Sequence, residues 1–208
     1  MVDPHLLLVF FSTSVLLALA PGPDILFVLA QAAQQGKRAG LLVTLGLCTG
    51  LLVHTSAVTL GLAAVYAQSG LAFTVLKVAG ALYLAYLAWQ SFRAGAQTGE
   101  ASRVDRLAPA KLYRRGIIMN ITNPKVSIFF LAFLPQFADP VRGSLPLQLL
   151  ELGAFFILAT IVVFGLVSLL AGAVGERFRR SSKAQKLLNR LAGTVFALLA
   201  VKLVTAQR

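Results

Sequence analysis

From Ala39 to Leu76 the chain runs 38 residues without a formal charge. No other feature narrows its fold as much. A helix rises 1.5 Å per residue, so crossing ~30 Å of hydrocarbon takes about 20 residues. The run is too long for one ordinary span and short for two. Lys77 alone separates it from Val78–Gln90, which is also uncharged. This predicts two helices, at about 41–64 and 71–92, turned by the link Tyr66–Gly70. The composition agrees: 58% of the residues are hydrophobic, 12% are charged and the mean hydropathy is +0.81. A soluble domain needs about twice that charge to cover its surface. Disorder needs far less hydrophobicity. The chain reads as an all-α polytopic membrane protein.

The other spans follow by the same count. Residues 4–23 are uncharged, and apolar residues continue past Asp24 to Ala33. This segment is read as a retained helix, not a cleaved leader. Asp3 precedes it without Lys or Arg, and Pro21 would follow a cut after Ala20. Arg93–Arg115 is too polar to span. A fourth span is expected from Gly116 to Ala138, a fifth at about 148–173 and a sixth at about 188–205. Pro146 suits a helix's first turn. Arg190 and Lys202 can snorkel from the ends of the sixth.

Charge sets the orientation. Lys37 and Arg38 lie in the first gap. Arg93, Arg103, Arg106, Lys111, Arg114 and Arg115 lie in the third, and Arg177, Arg179, Arg180, Lys183, Lys186 and Arg190 in the fifth. The second gap has no basic residue, and the fourth has only Arg142, balanced by Asp139. Basic gaps face the cytoplasm, which puts both termini outside an inner (cytoplasmic) membrane. The net charge of +12 is thus a record of topology, not a nucleic-acid surface.

Six spans make two three-helix halves, 1–93 and 114–208, joined by a basic cytoplasmic loop, 94–113, within one transmembrane domain. The first helix of one half starts outside and that of the other starts inside, so the halves have inverted topology. Each first helix contains a proline directly before a charge: Pro21-Gly22-Pro23-Asp24 and Asn123-Pro124-Lys125. Proline removes one helical hydrogen bond and frees a carbonyl. Broken helices at matching places in two inverted halves point to a midplane site in secondary transporters. An ionisable group in the membrane is costly unless paired or wet. Asp24 and Lys125 both fall in the inner part of the membrane. Together they would match the ammonium and carboxylate of a zwitterionic amino acid, and Asp24 could carry an exchanged proton. The competing reading has each side chain snorkel to headgroups. His54, Asn120 and Asn123 are further candidates for lining a cavity. For His54 a plain packing contact is the alternative. Lys77 and Glu151 read more readily as residues near the ends of their spans. Tyr83, Tyr86 and Trp89 suit the membrane interface. Gly46-x-x-x-Gly50 allows close helix packing, within a chain or in a homo-oligomer.

Several chemistries lack residues. There is no phosphate-binding loop for ATP. Cys48 is the single cysteine, so paired membrane thiols are excluded. No Ser or Thr is spaced to pair with His54 as a nucleophile, which argues against an enzyme. No metal site and no cofactor are expected. With two histidines and seven carboxylates, a divalent-metal exporter is the weaker alternative, beside a membrane scaffold that transports nothing.

Pro21-Gly22-Pro23-Asp24, Gly46-x-x-x-Gly50 with His54, Asn123-Pro124-Lys125, Phe129-Phe130 and Leu134-Pro135-Gln136-Phe137 together resemble the LysE/RhtB amino-acid exporter family. The resemblance covers nearly the whole chain. It implies efflux of an amino acid or close derivative, driven by the proton gradient. The motif residues it carries over are Pro21, Gly22, Pro23, Asp24, Asn123, Pro124 and Lys125. Members are described as exporters of threonine, homoserine, homoserine lactone, lysine or leucine. The chain lacks the strongly acidic site that a cationic solute would want. This favours a neutral, threonine- or homoserine-like one.

Overall fold

The computed structural model describes residues 1–20, 22–68, 70–94, 106–171 and 181–205. Helix α1 is Pro4–Leu19 and α2 is Pro23–Gln35. Asp3 caps α1 by accepting the His5 N–H, and Pro4 occupies its first turn. Prolines at 21 and 23 offer no N–H to continue it. Ala20, before Pro21, is pushed into extended backbone (φ −60°, ψ 125°). Pro23 then opens α2, which is tilted 62° from α1. The expected first span is therefore two helices.

Gly36 ends α2 at φ 87°, a left-handed value that glycine adopts without strain. That one residue is enough to turn the chain. Helix α3, Lys37–Gln68, begins at once, earlier than the polar run 34–38 suggested. Helix α4, Gly70–Arg93, follows after Ser69, which lies outside the described residues. The two helices thus take in nearly all of the five-residue link expected between them, Tyr66–Gln68 in α3 and Gly70 in α4.

Helix α5 is Pro109–Ile121 and α6 is Pro124–Ile128, and the segment Pro124–Phe137 is bent by 49° from α5. α5 starts inside the stretch read as a basic loop: Pro109 suits its first turn, and Lys111, Arg114 and Arg115 lie within it. Arg115 lies 4.9 Å over the Phe27 ring. Beyond α6 the chain widens into a π-helical turn, Phe129–Phe133, and then tightens through two 3₁₀ turns, Leu134–Phe137 and Pro140–Arg142. Helix α7 is Leu145–Leu170 and α8 is Ser182–Thr205.

Among the described residues three helices are long and apolar enough to cross a membrane: α3, α7 and α8. The number is five if each bent pair is one span. Leu52, Leu60, Leu158, Leu166 and Leu198 are exposed on these helices, as a lipid-facing surface requires.

α3 packs on α5 and α7, α4 packs on α8, and α1 and α2 both pack on α7. Close approach at the α3–α5 crossing depends on missing side chains. A Cβ on Gly46 would collide with the Tyr113 carbonyl, and one on Gly50 would come within 2.7 Å of Asn120 Cβ. A phenylalanine cluster fills the core at the end that carries Asp3 and Arg142. Phe10, Phe129, Phe130, Phe133 and Phe137 are fully buried there. A second core, around Val28, Val43, Leu47, Leu112 and Phe164, lies between α2, α3, α5 and α7.

Candidate functional site

Each helix break strands a backbone carbonyl. Four residues before Pro21 is Leu17, and four before Pro124 is Asn120, so neither carbonyl can receive the usual helical N–H. In the membrane such a group must find another donor. In both cases a side chain from the other half of the sequence supplies it. Lys125 Nζ donates to Leu17 O at 3.3 Å and to Ala20 O at 3.2 Å. Asn120 O accepts the Asn123 N–H at 3.1 Å, and His54 Nε2 lies 3.1 Å away on its remaining side, which suits a ring with hydrogen on Nε2. The His54 ring rests 5.5 Å from that of Phe130.

The helix ends explain where the charges sit. The Lys125 ammonium lies at the C-terminal, partially negative end of α1. Asp24 lies in the first turn of α2, the partially positive end. Asn123 links the two. Its side-chain oxygen caps α6 by accepting the Lys125 N–H at 3.0 Å, and its Nδ2 donates to Asp24 Oδ2 at 2.9 Å. Asp24 is 4% exposed, Asn123 3% and Asn120 2%. Gly22 lets the lysine head pass, because a Cβ there would stand 3.1 Å from Nζ.

Asp24, Asn120 and Lys125 line one cavity with Leu17, Val126, Phe156, Thr160 and Phe164. It offers about 20 Å³ to water-sized centres, room for about one water molecule. Two of its oxygens, Asp24 Oδ1 and Asn120 Oδ1, are buried without a hydrogen-bond partner among the described residues. Such atoms are rare in a native fold, and both border the space where a water or another donor would reach them.

Asp24 and Lys125 share this cavity without a direct ion pair. Among the described residues, ion pairs join Arg142 to Asp3 at 2.7 Å and to Asp139 at 3.7 Å. The lysine is taken by backbone carbonyls, which are acceptors whatever the side chain, so no sequence pattern signals that contact. Of the remaining candidates, Pro21 lies outside the described residues. Pro23 and Pro124 open α2 and α6, and Pro124 acts through the Asn120 carbonyl that it frees. His54 reaches the site through the Asn120 backbone. Glu151 is remote, with Oε2 accepting the Val2 N–H at 2.9 Å beside the Asp3–Arg142 end. Lys77 does not line the cavity. Tyr83, Tyr86 and Trp89 form a ladder on α4 with ring spacings of 6.0 and 6.1 Å, ending under Arg93. Thr160, Phe156 and Phe164 were not singled out from the sequence. A helix as apolar as α7 gives them no contrast.

The whole arrangement can be set against known proteins. The chain is 36% identical over 206 residues to an uncharacterized membrane protein of Vibrio cholerae, covering 99% of each chain. It is 33% identical over 198 residues to the homoserine/homoserine lactone efflux protein of Salmonella typhimurium, covering 95% of each. No solved structure matches it. The model of the LysE type translocators matches residues 15–207, which include both helix breaks and every described residue of the cavity. The chain belongs to the LysE type translocator family and is a membrane transporter, not an enzyme.

Proposed function

We propose that this protein exports a neutral amino acid, or a close derivative such as homoserine or its lactone, across the bacterial inner membrane in exchange for protons. The observation that carries the reading is the single cavity where two broken helices meet, with Asp24 on one side and Lys125 on the other. A zwitterion has the complementary pair of groups. Its ammonium would satisfy Asp24 Oδ1, the buried oxygen now without a donor. Its carboxylate would compete with the Leu17 and Ala20 carbonyls for Lys125 Nζ. A carboxylate is the stronger acceptor. Binding would therefore release the end of α1 from α6, which couples occupancy to movement. The similarity to a homoserine efflux protein supports this solute class.

Six spans in two inverted halves supply the frame. α1–α2, α3 and α4 correspond to α5–α6, α7 and α8. A two-fold axis exchanging the halves would pair α3 with α7 and α4 with α8, and would match α3 on α5 with α7 on α1–α2. These are the packings described above. The cavity admits a water molecule and not an amino acid, so the halves must part around the two breaks, alternately toward each side. The basic ends face the cytoplasm, and the Asp3–Arg142 end faces outward. Asp24 takes the proton that enters as solute leaves. A neutral solute exchanged for one proton draws on the pH gradient and on the voltage, the latter contributing about 2.3 kcal/mol per charge per 100 mV.

The test is counterflow in proteoliposomes loaded with a panel of amino acids and divalent cations. Exchange of threonine or homoserine, stimulated by an imposed pH gradient, is the expected result. Metal flux without amino-acid flux would overturn the reading, and so would no flux of either.

A further inference from the structure

Helix α2 leads from Asp24 to the basic end of the molecule, and its buried face is Asp24, Val28, Gln31 and Ala32. Gln31 is 0% exposed. Its side-chain oxygen accepts the Gln35 amide, while its own Nε2 has no partner. This amide nitrogen is thus another buried group without a partner among the described residues, on the same helix as Asp24 and two turns from it. Around it α2, α3 and α7 converge. A Cβ on Gly40 of α3 would stand 2.7 Å from Ala32 Cβ and 2.9 Å from Ser168 Cβ.

The surroundings differ on the two sides of the cavity. Thr160 lines the cavity itself, and toward the basic end lie the buried hydroxyls of Thr44 and Ser168; the three donate to Phe156 O, Gly40 O and Phe164 O at 3.0, 2.9 and 2.7 Å. Each hydroxyl oxygen keeps accepting capacity. Toward the other end lie phenylalanine rings, with centroids 4.9–6.3 Å apart along Phe10, Phe129, Phe130, Phe133 and Phe137. The basic side thus offers polar acceptors beside the apolar second core around Val28, Val43, Leu47 and Phe164.

We propose that Gln31 is a specificity-determining contact for the solute on its way from the basic end to the Asp24–Lys125 cavity, its free amide N–H donating to the solute carboxylate. The proposal rests on the exporter reading. Gln35, partly buried one turn further on, holds the Gln31 oxygen so that the N–H is the end left to donate.

Reconstituted protein assayed for homoserine counterflow, with solute varied on the basic face, tests this. Gln31→Met keeps the length and removes the donor. KM is expected to rise about 3- to 10-fold, the worth of one hydrogen bond, with kcat little changed and the melting temperature no lower than that of the unaltered protein. A merely structural glutamine would instead lower the melting temperature and leave KM alone, and that result would overturn the proposal. Should Gln31→Met not accumulate, Gln31→Cys in a Cys48→Ser background gives a second reading. A water-soluble thiol reagent should modify it from the basic face, more slowly when homoserine is present. No modification, or modification unaffected by homoserine, contradicts the proposal. If the unaltered protein moves no amino acid at all, the exporter reading fails first, and the two failures are told apart.

Discussion

Asn123 Nδ2 donates to Asp24 Oδ2 at 2.9 Å, so the amide that caps α6 also holds the carboxylate that opens α2. Two helix breaks far apart in sequence are thereby joined by one side chain. Asn123→Ala removes the cap, worth about 1 kcal/mol, and a buried bond to a carboxylate, worth about 1.5–3 kcal/mol. A loss of about 2–4 kcal/mol is expected in reversible unfolding in mixed micelles. Asn123→Ser keeps a cap without the reach to Asp24 and should recover about 1 kcal/mol of it.

The break at Pro124 trades stability for a freed carbonyl. Pro124→Ala restores an N–H four residues after Asn120, where it competes with His54 for the same oxygen. The expected variant is more stable by about 1 kcal/mol and transports more slowly. Thermal unfolding and counterflow on one preparation check both halves of that statement. A variant that is destabilised and transports normally would show that the break is only a packing kink.

Gly46 and Gly165 separate close approach from mere glycine content. A Cβ on Gly46 meets the Tyr113 backbone, whereas one on Gly165 has nothing within 4 Å. Gly46→Ala should cost at least about 2 kcal/mol by overpacking the α3–α5 crossing. Gly165→Ala should be neutral or stabilise by up to about 1 kcal/mol. Parallel thermal melts decide it.

The outer clasp makes a pH prediction. The Arg142 guanidinium, with the His5 N–H second, holds the partly exposed Asp3 carboxyl below its ordinary value of 3.8. A lowered value means that the clasp contributes fully above the ordinary value and is lost as pH falls through the lowered one. The melting temperature of the unaltered protein should therefore drop on acidification below about pH 4 by more than that of Asp3→Asn. Equal slopes for the two proteins would remove the clasp from the account.

The breaks themselves were legible in Pro21-Gly22-Pro23-Asp24 and Asn123-Pro124-Lys125, because proline chemistry is local. The spans α3 and α7 were legible from uncharged length, and α8 from a shorter apolar run bounded by Arg190 and Lys202. What was hidden depends on tertiary partners. The bond from Lys125 to the Leu17 carbonyl uses an acceptor that every residue carries, so the sequence suggested Asp24 instead. The π-helical turn Phe129–Phe133 contains neither proline nor glycine and follows from packing among rings. Gln31 is one uncharged amide in an apolar helix, and only its burial makes it notable. Its spacing of seven residues from Asp24 was the available signal.

The most direct test of the central claim is homoserine flux by Asp24→Asn in vesicles with an imposed pH gradient. The amide keeps the size of the side chain and removes both the charge for the solute ammonium and the seat for the proton. The account predicts a protein that inserts and folds but shows no gradient-driven flux. Gradient-driven flux equal to that of the unaltered protein would contradict it.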